Sequence, residues 1–353
     1  MNATLPSAES LRAALAGLLD GLPPTQAARA VDRLIANYRG TTPTDAPVLR
    51  DRSDVVAYAA YRMPATFEAV RSALGALRDA APDWVPATHT DIGGGTGAAS
   101  WAVAEAWHDE SPPGEQQGER PEREGAGDGP GPRTTVLDWA EPALALGREL
   151  AVASGAPALR AARWERSRIS AAIRIDDADL VTVSYVLKEL TEADRAAVVT
   201  EAARAARAVV IVEPGTPDGY LRIIEARDRL IAAGLTVAAP CPHSAPCPIV
   251  PGTDWCHFSA RVSRSSLHRQ VKGGSLPYED EKFSYVVATR FPVRPVTARV
   301  VRKPQLRKGL VLLDLCGTEE TLTRATVTKR QGAVYKEARD AEWGDSWPSH
   351  PAP

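Results

Sequence analysis

Apolar residues along the first 86 positions recur at three- and four-residue spacing, the period of a helix with one buried face. The pattern predicts helices over Ser10-Leu-Arg-Ala-Ala-Leu-Ala-Gly-Leu-Leu19, over residues 26–38 and over residues 65–77, separated by Pro23-Pro24 and the 41–47 stretch. From His89 onward the period changes. Short apolar runs alternate with helical segments, the signature of a doubly wound α/β sheet. Strands are predicted at 88–92, 134–138, 179–186 and 208–213. Helices are predicted at 97–107, 142–153, through 206 and over 218–233, and two later runs, 258–262 and 283–289, could close the sheet.

Between the first of these helices and the second strand lies residues 109–133, rich in Glu, Gly and Pro and nearly free of large apolar side chains. Such a segment cannot bury enough surface to order itself, so it reads as a disordered insertion. After residue 290 the chain changes again. Short β-branched runs at 296–301, 310–315 and 321–328 predict a small β module, and residues 290–336 carry eleven Lys or Arg against Asp314, Glu319 and Glu320. A basic β surface suits a polyanion, and Arg302, Lys303, Arg307 and Lys308 are its candidate contacts. The expected organisation is therefore a helical region at 1–86, an α/β domain at 87–292 with a Pro- and Cys-containing loop at 239–258, and the basic module at 293–345.

The segment Asp91-Ile-Gly-Gly-Gly-Thr-Gly97 follows the first predicted strand and opens a helix. Glycines at 93, 95 and 97 permit a tight turn and close approach of a ligand to the backbone. The spacing Gly93-x-Gly95-x-x-Ala98 also fits a dinucleotide fingerprint. Two acids favour S-adenosylmethionine (AdoMet) over NAD. Asp91 stands at the strand end, where a carboxylate suits a methionyl ammonium and disfavours a pyrophosphate. Asp138 ends the next strand, where a carboxylate can accept from both ribose hydroxyls, and Trp139 beside it can lie against adenine. The 47 residues between the two acids shrink to roughly the usual 20 once the insertion is set aside.

No catalytic residue stands out. An AdoMet sulfonium is already an activated electrophile, so an acceptor need only be oriented and desolvated. The segment Ser184-Tyr185-Val186-Leu187-Lys188-Glu189 lacks the Asn/Asp-Pro-Pro-Tyr/Phe run that holds an exocyclic amine. Glu189 and Glu213 are acids that could face an acceptor.

Four cysteines remain: Cys241, Cys247, Cys256 and Cys316. Three fall within sixteen residues of a Pro-rich loop, a poor setting for core packing. The start of the chain shows no basic and apolar leader, and no run approaches the length of a membrane span, so a reducing cytoplasm is expected and metal or redox chemistry is favoured over disulfides. The Cys-x2–4-Cys pairs of zinc knuckles are absent. Proline directly after Cys241 and Cys247, with irregular spacing, favours an iron–sulfur loop, while His243 and His257 keep a mixed Cys/His zinc site open. Either site would couple metal occupancy to folding.

Tyr58-Ala-Ala-Tyr-Arg-Met-Pro-Ala-Thr66, the Asp91–Gly97 loop, Pro240-Cys-Pro-His243, Cys247-Pro, Asp254-Trp-Cys-His-Phe258 and Glu279-Asp-Glu-Lys-Phe-Ser-Tyr285 together resemble the methyltransferase-like proteins of the mitochondrial small ribosomal subunit and their bacterial relatives. The resemblance runs from about residue 50 to 335. It implies a Rossmann-like, seven-stranded AdoMet-methyltransferase fold with an N-terminal helical region and a small C-terminal β module. It also implies binding to small-subunit rRNA during ribosome assembly and a [4Fe–4S] cluster on Cys241, Cys247, Cys256 and Cys316. AdoMet would be held at Asp91, Gly93, Gly95 and Gly97, with methyl transfer itself doubtful in such proteins. Two other readings stand beside it: an active rRNA methyltransferase, and a non-enzymatic zinc-stapled factor binding RNA or protein.

Overall fold

The computed structural model describes residues 7–19, 52–108, 131–265 and 275–348, with the single residues 25, 29, 31, 32 and 269. Most of the helix expected over 26–38 and nearly all of the 109–133 insertion lie outside the described residues.

The chain builds one mixed sheet from β1 (Thr88–Ile92), β2 (Arg133–Asp138), β3 (Arg163–Arg166), β4 (Ala178–Ser184), β5 (Ala206–Pro214), β6 (Thr236–Ala239), β7 (Phe258–Ser263) and β8 (Tyr278–Thr289). Their order is β3-β2-β1-β4-β5-β8-β6, with β7 added on β8. The first five strands are parallel, and β8 runs antiparallel between β5 and β6. This is the Rossmann-like methyltransferase fold. It carries eight strands rather than the expected seven, because β8 extends past the sheet and its first half pairs with β7 from Phe258↔Phe283 to Ser263↔Tyr278.

Helices cover both faces. On one side α1 (Ala8–Leu19), α2 (Arg52–Ala80), α3 (Ala98–Ala106) and α4 (Glu141–Ala153) close over a core that includes Phe67, Leu74, Trp101 and Phe283. After the short α5 (Pro157–Arg160), α6 (Glu192–Ala205) and α7 (Pro217–Ala232) bury Val198, Ala202, Ile223 and Leu230 on the other. Thr191 and Thr216 cap these two helices by accepting from the backbone N–H groups of Asp194 and Gly219, which satisfies donors a helix start otherwise leaves bare. Helix α2 begins well before the predicted residue 65 and continues through Pro64. Among the described residues no helix is long and apolar enough to cross a membrane.

The C-terminal strands form a second, antiparallel sheet: β9 (Ala298–Val300), β10 (Gln305–Arg307), β11 (Leu310–Gly317), β12 (Leu322–Thr328) and β13 (Ser346–Trp347). Val300, Val311, Leu313, Val327 and Trp347 give it a core of its own, closed by α8 (Ala333–Asp340). One feature of the topology sets up the cysteine site. Strands β6 and β7 occupy successive stretches of the same edge of β8, so residues 240–257 leave the sheet and return to it.

Candidate functional site

The glycine loop is built as a lid over Asp91. Gly93, Gly95 and Gly97 all adopt left-handed backbone, with φ of 70°, 54° and 84°, which glycine adopts without the clash a Cβ would bring. The Gly93 and Gly94 N–H groups both donate to the Leu137 carbonyl, folding the loop back onto β2. Space is as restrictive as conformation. A Cβ on Gly97 would lie 2.5 Å from the Trp164 ring, and one on Gly94 would lie 2.5 Å from Asp91 Oδ2.

The two acids sit differently. Asp91 is wholly buried beneath the loop, and its carboxylate accepts from Thr182 Oγ1 at 2.8 Å and Ser100 Oγ at 3.3 Å. Burial pushes its carboxyl up to about 7, against the pull of those two hydroxyls. It thus shapes the loop from below rather than standing open at the strand tip. Asp138 is half-buried; its oxygens accept from the N–H groups of Gly95 at 2.9 Å and Ala140 at 2.8 Å, tying the loop to the start of α4. Burial raises this carboxyl as well. Trp139 beside it is 43% exposed.

Past the end of β4, where an acceptor would approach, the chain is already engaged. Tyr185 takes a positive φ of 59° and donates its hydroxyl to Glu281 Oε1 at 3.0 Å. Arg62 reaches the same oxygen at 3.2 Å and lies over the Tyr185 ring at 5.4 Å. Of the two acids that could face an acceptor, Glu213 is 0% exposed and bonded to Arg222 Nε at 2.6 Å and the Leu187 N–H at 3.1 Å. It is a clamp between strand ends. Glu189 is exposed, at the end of a single 3-10 turn.

The four cysteines, up to 75 positions apart in the chain, line one cavity between the two sheets. None is disulfide-bonded. Helix α7 supplies Tyr220 and Arg227, and β8 supplies Ser284 and Tyr285. Tyr220 Oη lies 3.3 Å from Cys247 Sγ, Cys316 Sγ lies 3.7 Å from His243 Nε2, and Ser284 Oγ holds the Cys256 carbonyl at 2.7 Å. Burial raises the Cys241 and Cys256 thiols and pushes Cys316 up to about 12, and neighbouring sulfurs add to each rise. Arg227 opposes it at Cys241 and Cys316, and Arg302 at Cys256. From the second sheet Arg299, 6% exposed, donates to the carbonyls of Pro240 and Gly344 and fastens the module to the loop.

Four thiols lining one cavity are a donor set that a thiolate-ligated metal group would use. Among the described residues no three His, Cys, Asp or Glu side chains converge tightly enough to hold a single metal ion. A buried cation, Arg227, matches the net negative charge such a thiolate-ligated core carries.

The family model of the mitochondrial small ribosomal subunit protein Rsm22 matches residues 52–115 and 131–348. The chain belongs to the Rsm22 family. It is 29% identical over 316 residues to the human mitochondrial ribosome assembly protein METTL17, a match covering 82% of this chain and 62% of that protein. The chain thus spans about three-fifths of the length of this relative. Over 182 residues it is 27% identical to the mitochondrial Rsm22-cox11 tandem protein 2 of Schizosaccharomyces pombe, covering 40% of this chain and 24% of that one. Among solved structures it is similar to an O-methyltransferase family protein from Burkholderia thailandensis, with a TM-score of 0.42, 14% identity and coverage of 75% and 69%. A magnesium protoporphyrin IX methyltransferase from Synechocystis gives a TM-score of 0.37 at 13% identity, covering 65% and 83%.

In this Rsm22-family chain the basic residues separate into two groups. Lys303, Arg307 and Lys308 are exposed around the β10–β11 hairpin. Arg302 is instead committed to the Asp254 carboxylate and, at 3.3 Å, to the Trp255 carbonyl. It braces the cysteine loop, as Arg299 does, and neither belongs to a free basic face. Tyr220 and Arg227 escape motif reading altogether. Their one sequence signal is a tyrosine and an arginine on the apolar stripe of an amphipathic helix, in register with Ile223 and Ile224.

Proposed function

We propose that this chain is an AdoMet-binding, [4Fe–4S]-containing methyltransferase-like factor that binds small-subunit rRNA, or acts on it, during ribosome assembly. The observation that carries the reading is the convergence of Cys241, Cys247, Cys256 and Cys316 on one cavity beside a buried guanidinium. Membership of the Rsm22 family supports the small ribosomal subunit as partner. The cluster would join the methyltransferase sheet to the β module, and the module would present Lys303, Arg307 and Lys308 to phosphate.

AdoMet would supply an activated methyl group. The backbone of Gly93, Gly95 and Gly97 would cradle its methionyl end, Asp138 would receive the ribose hydroxyls, and Trp139 would cover adenine. Asp91 would favour the ammonium through the loop, by its field rather than by contact. No residue is assigned to methyl transfer. Tyr185, Arg62 and Glu281 engage one another where an acceptor would enter, which favours an assembly role over catalysis. A reducing cytoplasm, in which the four thiols stay free to hold a metal group, is the proposed setting.

The test is purification under anaerobic conditions from cells carrying the tagged chain. Brown protein with stoichiometric iron and sulfide, cosedimenting with small subunits, supports the reading. Colourless, zinc-loaded protein overturns the cluster. Labelled methyl transfer from AdoMet to small-subunit rRNA from a deletion strain would make it a methyltransferase instead.

A further inference from the structure

Helix α7 turns a stripe of Tyr220, Ile223, Ile224 and Arg227 into the cysteine cavity. These positions follow one helical face, and two of the four carry polar heads among apolar neighbours. The Tyr220 hydroxyl lies 3.3 Å from Cys247 Sγ; against a thiolate, only the hydroxyl can donate. Arg227 is 2% exposed. Its Nη2 donates to the carbonyls of His243 at 3.0 Å and Ala245 at 2.5 Å, yet its Nε is buried without a partner among the described residues. The carboxylate paired with it, Asp228, is 3.4 Å away and 64% exposed, so water screens that pairing. A guanidinium does not give up its proton. A full positive charge is therefore held in the cavity that the four cysteines line, only weakly neutralised by the protein around it.

We propose that Arg227 and Tyr220 set the reduction potential of the iron–sulfur cluster on these cysteines. The inference rests on the cluster reading above. A fixed positive charge and an O–H aimed at a ligand sulfur both favour the form carrying one more electron, and both act strongly in apolar surroundings. Together they hold the potential up. The carbonyl bonds to residues 243 and 245 also fix the guanidinium against the loop that bears Cys241 and Cys247, so its distance from the sulfurs is set by the fold.

The full-length chain is reconstituted anaerobically with iron and sulfide as wild type, Tyr220→Phe, Arg227→Gln and Arg227→Lys. Iron and sulfide are counted first. A potentiometric titration with dithionite, followed by electron paramagnetic resonance, then gives each midpoint. Tyr220→Phe and Arg227→Gln are expected to move the midpoint to more negative values, Arg227→Gln by at least a tenfold change in the one-electron equilibrium, about 59 mV. Arg227→Lys, which keeps the charge, is expected to recover most of that shift. Loaded variants with the wild-type midpoint overturn the proposal, as does a wild-type cluster that dithionite cannot reduce. If Arg227→Gln does not fold, Tyr220→Phe decides alone. A wild-type chain that takes up no iron overturns the cluster reading itself, and does so before any potential is measured.

Discussion

His89 and Asp91, both fully buried on β1, share one hydroxyl: Thr182 Oγ1 lies 2.8 Å from His89 Nε2 and 2.8 Å from Asp91 Oδ1. A hydroxyl has one proton to give. With that proton on the side of an ionised Asp91, Thr182 accepts from His89 Nε2–H, and the bare Nδ1 accepts from the Thr134 hydroxyl at 3.2 Å. Burial pushes the imidazole down to about 3 and the carboxyl up to about 7.

These two shifts act on stability with opposite sign. From about pH 4 to 6.5 the unfolded chain carries a proton on His89 that the folded chain lacks, and the folded chain carries one on Asp91 that the unfolded chain lacks. The pair therefore contributes almost no slope there. His89→Gln leaves Asp91 alone, so stability should fall by about 1.4 kcal/mol per pH unit from pH 4 to 6.5, where wild type stays flat. Asp91→Asn leaves His89 alone, and stability should rise with similar steepness from pH 3 to 6.5. Urea denaturation at three pH values reads both, and parallel curves for all three proteins would refute the coupling.

Gly97→Ala meets two obstacles, a φ of 84° and the Trp164 ring 2.5 Å from the new Cβ. A loss of about 1–3 kcal/mol in stability is expected from the strained backbone. AdoMet affinity, measured by titration calorimetry, should fall at least tenfold (about 1.4 kcal/mol) as the loop shifts.

Cys256→Ser and Cys316→Ser should both lose nearly all bound iron, although Cys316 belongs to the other sheet. The two variants should differ in yield. Cys256 lies in the loop between β6 and β7, so its loss should also remove most soluble protein, whereas β11 keeps its own core. Iron assay and gel filtration separate these outcomes, and normal iron in either variant contradicts its assignment as a ligand.

Reversing Lys303, Arg307 and Lys308 to Glu should weaken cosedimentation with small subunits and flatten its salt dependence by about one unit per lost phosphate contact. Arg302→Glu should do something else: it breaks the bond to Asp254 and should release the cysteine loop, seen as iron loss. Unchanged association of the triple variant at moderate salt would remove the basic hairpin from the RNA reading.

Much of the frame was legible in the sequence because its cues are local. A run such as Leu180-Val-Thr-Val183 has only one good home, a buried parallel strand, and the glycine loop announces its own turn. What stayed hidden depended on partners far along the chain. Strand β3, Arg-Trp-Glu-Arg from Arg163, carries three charges and no apolar run, yet it pairs with β2 and gives the loop its Trp164 floor. Strand β6 is four residues long and pairs with a strand nearly fifty positions later. Charge along residues 290–336 suggested one basic face, but Arg299 and Arg302 are turned to carbonyls and a carboxylate. Composition counts charges and cannot say which of them the fold has already used.

Strand β8 is made late. Until residues 278–289 have emerged, β5 ends the sheet with Val209, Val210, Ile211 and Val212 on an unpaired edge. Such an edge is a template for another chain. A half-synthesised molecule is thus stickier than a finished one, and truncation before residue 278 should yield aggregates rather than a smaller folded domain.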